Sequence, residues 1–180
     1  MRARNLKSFA PLGGKPAVLL AGMLLLGAVT ANANEENKSH NSVQGTWRLT
    51  IMVRTVTDPQ TGDCGTGDVL RAFPALIAFA KGGTLTLTTA GQLPSLFTPG
   101  LGVWRHTEGN NYSAVSEQFV FSPSGVWMQT HRLTRAIEVD NDADQFTENV
   151  KLQILDTAGN VIATGCATGI GTRLELTRED

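Results

Sequence analysis

The chain has 180 residues, 15 of them basic and 16 acidic for a net charge of −1; 41% are hydrophobic and only 6% aromatic. That length suffices for one well-formed core. The near-neutral balance supplies no overall field to capture nucleic acid or an anionic membrane surface.

Residues 1–33 read as a secretory signal peptide. Arg2, Arg4 and Lys7 make a positive start, 17–29 is an apolar run, and Ala31-Asn32-Ala33 offers a small-x-small cleavage site. The apolar run is shorter than the roughly 20 residues a membrane-spanning helix needs, so no membrane span is expected in the mature chain. No Cys follows the run to take a lipid. The expected location is therefore secreted or periplasmic. Cleavage removes Arg2, Arg4, Lys7 and Lys15 but no acid, leaving 11 basic and 16 acidic residues and a net charge of −5. Residues 34–42 form a polar, disordered lead-in, and 43–180 form one domain.

Period-two alternation then marks the strands in chain order. In 45–53, Trp47, Leu49, Ile51 and Val53 share a face, with Arg48, Thr50 and Arg54 on the other. Residues 58–65 are a turn-rich excursion. The run 69–80 places Phe73, Ile77 and Phe79 together, and Pro74 within it predicts an edge or a bulge. Lys81-Gly82-Gly83 turns into 84–89, where Leu85 and Leu87 alternate with threonines. Residues 90–100 form a loop unusually apolar for its kind, either a lid or a plug over one barrel end.

Residues 101–107 form the next strand, and Gly109-Asn110-Asn111 turns into 112–121, where Val115, Phe119 and Phe121 are expected inside. Ser122-Pro123-Ser124-Gly125 leads into 126–139, with Trp127, Leu133, Ile137 and Val139 inside. An acidic turn at 140–144 precedes Phe146, Val150, Leu152 and Ile154. A last turn at 156–160 leads into 161–176. No helical periodicity of any length appears. The predicted fold is all-β: an eight-stranded antiparallel up-and-down barrel, in which closure removes exposed strand edges.

Cys64 and Cys166, in an exported chain, point to a disulfide rather than a metal site. The bridge would staple the first strand to the last, which meet at the closure seam. His40, His106 and His131 lack metal-ligand spacing, so no metal is expected. Asp140, Asp142 and Asp144 alternate like the start of a Ca²⁺ loop, but Gln145 and Lys151 stand where its glycine and distal glutamate belong. Neither a nucleotide fingerprint nor a phosphate loop occurs, and no cofactor is expected.

Gly45-Thr46-Trp47 on the first strand resembles the G-x-W signature of lipocalins and the wider calycin superfamily. The resemblance implies that the Trp closes one end of the barrel and that an Arg from the last strand packs across it. Arg173, in Gly171-Thr172-Arg173-Leu174, takes that role; because Leu174 and Leu176 alternate against it, reaching Trp47 requires a bulge at a nearby glycine. No helix-forming segment follows, a departure from lipocalins. More broadly the chain is similar to small secreted bacterial proteins sharing F-P-A-L-x-x-F-x-x-G-G-T (73–84), G-x-W-x-H (102–106) and G-C-A-T-x-x-G-x-R (165–173), a likeness that brings no activity with it. The size also resembles the allene oxide cyclase-like barrel.

The same alternation nominates a site. Glu117 falls in phase with Val115 and Phe119; Gln129, His131 and Arg135 with Trp127; Glu148 with Phe146; and His106 with Trp104. Buried charges need partners, water or a ligand, so three readings stand. One is a satisfied polar network. A second is a pocket for a small, partly apolar ligand, lined by Trp104, His106, Phe119, Trp127, Gln129 and Arg135. The third is a cofactor-independent cyclase or isomerase with His131 and Glu117 as the catalytic pair. A structural barrel with a protein partner on its outer face is the remaining expectation.

Overall fold

The structure, a computed structural model, describes residues 42–58, 64 and 67–176. The expected signal peptide at 1–33, nearly all of the lead-in at 34–42 and most of the excursion at 58–65 lie outside the described residues. Eight strands follow one another: β1 (Gly45–Arg54), β2 (Val69–Ala80), β3 (Thr84–Thr89), β4 (Gly100–His106), β5 (Asn111–Phe121), β6 (Trp127–Val139), β7 (Gln145–Leu155) and β8 (Val161–Arg173). Each pairs antiparallel with the next, and β8 returns to β1, giving a closed barrel in up-and-down order. Among the described residues there is no helix, and none is long and apolar enough to cross a membrane.

Pro74 is tolerated inside β2 without an edge. It pairs with Thr50 of β1, while Ala75 pairs with Thr89 at the last rung of β3. Ala90 N–H donates to the Pro74 carbonyl at 3.0 Å as the chain leaves the ladder. The amide hydrogen that proline lacks would face the same side, where the ladder is already ending.

One end of the barrel is filled. Trp47, Leu49, Ile77, Phe79, Leu85, Ile137 and Phe146 are buried there, each such side chain being worth about 1.5–3 kcal/mol on removal from water. Trp47 meets Phe146 edge-on at 4.9 Å between ring centroids, and its indole N–H donates to the Val43 carbonyl at 2.8 Å. Arg173 pairs directly with Trp47 across the β1–β8 ladder, and its guanidinium lies 4.1 Å from the indole centroid. Nε, Nη1 and Nη2 of Arg173 donate to the carbonyls of Ala143, Gln44 and Ser42 at 2.6, 2.6 and 2.7 Å. Gly45 is required beside it: φ is +124°, and a Cβ there would stand 2.8 Å from Arg173 Nη1.

The bulge expected near Arg173 does not exist. The β1–β8 register runs unbroken, β8 ends at Arg173 rather than at 176, and Leu174 and Leu176 are exposed. The inward face of β8 is set by Ala167, Gly169, Gly171 and Arg173, so the two leucines carry no phase information.

One other expected face is reversed, and one expected inward residue is displaced. On β5, Tyr112, Ala114, Ser116, Gln118 and Val120 are buried, and Val115, Glu117, Phe119 and Phe121 turn outward. Facing strands already fill much of the interior with large rings, and at its middle β5 contributes the small Ala114 and Ser116 there. On β6 the inward set is Gln129, His131, Leu133, Arg135, Ile137 and Val139. Trp127 is excluded from it because the β5–β6 register shifts between Val120 and Phe121, pairing Phe121 with Trp127 and skipping Met128.

The two cysteines form the expected disulfide, with a Cα–Cα distance of 5.6 Å. Cys166 pairs with Arg54 across the β1–β8 seam, and Cys64 belongs to the β1–β2 connection. The bridge thus ties the connection leaving β1 to the strand that closes the barrel.

Candidate functional site

The end opposite Trp47 is open and holds a cavity of about 420 Å³. Its walls are largely hydrocarbon: Ile51, Phe73, Leu87, Leu133, Val150 and Leu152 all face it. Arg135 lines its inner part, His131, Gln118 and Gln92 one side, and Arg54 and Arg71 the mouth. No carboxylate lines it among the described residues. The volume lies within the range of small-molecule sites, roughly 300–1,000 Å³.

Arg135 meets Glu148 from the adjacent strand, with side chains 2% and 0% exposed. Arg135 Nη1 donates to both carboxylate oxygens, at 2.7 and 2.8 Å. Gly169 opposite Glu148 makes this possible, since a Cβ there would sit 2.6 Å from Oε1. The guanidinium is not fully satisfied. Its buried Nε–H finds no acceptor, and neither does the buried Ser116 hydroxyl.

His131 sits beside the cavity, 8% exposed, and burial pushes its pKa below the ordinary histidine value. The Gln129 amide nitrogen lies 3.0 Å from His131 Nε2. An amide nitrogen only donates, so Nε2 accepts and the neutral ring carries its proton on Nδ1. Phe97, from the 90–99 loop, packs edge-on against the imidazole at 5.6 Å.

That loop is pinned at the rim. Thr98 N–H donates to the Phe119 carbonyl at 3.1 Å and Phe121 N–H to the Leu96 carbonyl at 2.8 Å, so 96–98 extends the β4 position along β5. The Gln118 amide donates to Gln92 Oε1 at 2.9 Å. The loop builds one wall of the opening rather than plugging it.

The sequence-nominated residues divide sharply. Arg135 and His131 line the cavity, and Gln129 reaches it through His131. Trp104 and His106 face inward but belong to the filled end: Trp104 Nε1 donates to the Ala80 carbonyl at 3.1 Å, and His106 Nε2 lies 2.7 Å from the Gly109 carbonyl. Phe119 and Trp127 meet edge-on outside the barrel at 5.6 Å, 47% and 40% exposed. Glu117 is also outside, where Arg132 Nε and Nη2 each approach Oε1 to 2.6 Å. Glu117 and His131 therefore lie on opposite faces of the β5–β6 sheet and cannot form a catalytic pair.

Sequence reasoning missed Arg54, Arg71, Gln92 and Gln118. Arg54 shares the outward phase of Met52 and Thr168, as the alternation of β1 expects, and reaches the rim of the cavity from there. It is held there by Nε donating to the Thr168 hydroxyl and Nη1 to the Gly67 carbonyl, both at 2.8 Å. Arg71 stacks over Phe73 at 4.8 Å. Among the described residues no cluster of His, Cys, Asp or Glu could hold a metal ion. Searches for related proteins match no family model, no curated protein and no solved structure.

Proposed function

We propose that the chain is an exported, lipocalin-like β-barrel that binds a small, partly apolar ligand in its open half. The observation that carries this reading is the cavity of about 420 Å³, walled by hydrocarbon and bordered by a few fixed polar groups. Such a space counts against a barrel whose interior serves only as packing. The lipocalin likeness is supported by Arg173 lying over Trp47 at the opposite end. Export is supported by the signal-peptide pattern at 1–33 and by the Cys64–Cys166 bridge.

The test is displacement of a neutral apolar fluorophore, N-phenyl-1-naphthylamine, from the purified oxidised protein. Binding should be saturable with one site per chain. Leu133→Trp, which places an indole in the cavity, should weaken it by about tenfold or more with little change in melting temperature. Absence of saturable binding to the native protein, or indifference to Leu133→Trp, would sink the proposal.

A further inference from the structure

The inner part of the cavity is bordered by a buried ion pair. The Arg135 guanidinium is a donor whose positive charge is already matched by Glu148, with both carboxylate oxygens accepting from Nη1. His131 adds no compensating charge, because burial favours its neutral form and Gln129 occupies its Nε2. The remaining groups lining the cavity are hydrocarbon apart from the uncharged Gln118, Gln92 and threonine side chains, and the cationic Arg54 and Arg71 stand out at the mouth. What Arg135 offers the cavity it lines is the part of its guanidinium that Glu148 leaves unengaged, since both carboxylate contacts are made by Nη1.

An anionic headgroup brought there would make the buried cluster net negative, with no water to solvate it. An uncharged oxygen avoids that penalty and completes the hydrogen bonding of a guanidinium, an unusually strong donor. We infer that the cavity takes an apolar molecule bearing an uncharged acceptor oxygen, of the ketone, aldehyde or ester class, inserted oxygen-first toward Arg135. The inference rests on the proposed binding function and names the chemical class of its ligand. At the roughly 30 Å³ that each water occupies in the liquid, the cavity holds the equivalent of about 14 waters. Guests of about a dozen heavy atoms are therefore the right scale.

The experiment compares three guests by displacement of N-phenyl-1-naphthylamine: 2-undecanone, its isostere 2-methyl-1-undecene, in which a methylene replaces the oxygen, and undecanoic acid. Each is measured on the native protein and on the double variant Arg135→Met/Glu148→Leu, which removes donor and counter-charge together. The ketone should lose about tenfold or more in the double variant, while the alkene and the acid change less than about threefold. A ketone that changes no more than the alkene overturns the inference, and so does an acid that loses as much as the ketone.

Glu148→Gln supplies an independent arm that keeps Arg135 and its charge. With the carboxylate neutralised, the inner part becomes cationic, and undecanoic acid should bind about tenfold tighter than to the native protein. No gain would overturn the charge argument even if the double variant failed to fold. If the fluorophore itself does not bind the native protein, the binding reading has failed, an outcome distinct from a bound fluorophore with an indifferent ketone.

Discussion

The Arg135–Glu148 pair makes a sharp stability prediction because its two side chains are almost wholly withdrawn from solvent, at 2% and 0% exposure. Arg135→Met alone strands a carboxylate among hydrocarbon, and breaking a buried pair in this way costs about 3–5 kcal/mol. Domains of this size are stable by only about 5–15 kcal/mol, so the single variant loses a large part of the total. Arg135→Met/Glu148→Leu removes the stranded charge and fills similar volume with hydrocarbon. Its stability should return to within about 1–2 kcal/mol of the native protein or exceed it. Urea denaturation of the oxidised protein at pH 7, followed by tryptophan fluorescence, measures both. A single variant losing less than about 1 kcal/mol, or a double variant as damaged as the single, would refute the reasoning.

The disulfide and His131 give two further outcomes. Cys64 and Cys166 are 102 residues apart, so in the chain-entropy model Cys166→Ala should lower stability by about 4–5 kcal/mol; a loss below about 1 kcal/mol in urea would contradict the staple at the seam. For His131, burial lowers the pKa in the folded protein below its ordinary value. Its contribution is therefore present above the unfolded pKa, about 6.5, and is lost as the pH falls through the folded one. The fall in urea midpoint between pH 7 and pH 5 should be smaller in His131→Gln than in the native protein, and equal falls would show that His131 is not the group titrating.

The barrel was legible because its strands announce themselves by alternation and its turns by Gly, Pro, Asn and Asp. β1 and β7 read correctly to the residue on their inward faces, since large apolar side chains at every second position leave one solution. β5 read backwards for a physical reason. Its largest apolar residues, Val115 and Phe119, stand outside, while small Ala114 and Ser116 fit against rings supplied by other strands. Hydrophobicity ranks residues by transfer from water, whereas a narrow interior also selects by volume, and no single strand states how much volume its neighbours have used. A bulge did the remaining damage. A shift of one residue at Val120/Phe121 moves Trp127 to the outside, and period two carries no marker for it.

The division between a filled end and an open end can be followed along β8, whose inward positions include three glycines. At Gly171 a Cβ would collide with the Phe146 ring, so that absent side chain is space the filled end already uses. At Gly169 the space is taken by the Glu148 carboxylate, which allows a charged pair to sit at the boundary between the two halves. At Gly165 the nearest atom to a Cβ would be Leu152 Cδ2 at 3.6 Å, an ordinary contact, and the residue lines the cavity. The three glycines thus carry an aromatic ring, an ion pair and an unfilled volume in turn. The closure strand contributes room rather than packing, and how its neighbours use that room separates the core from the candidate binding site.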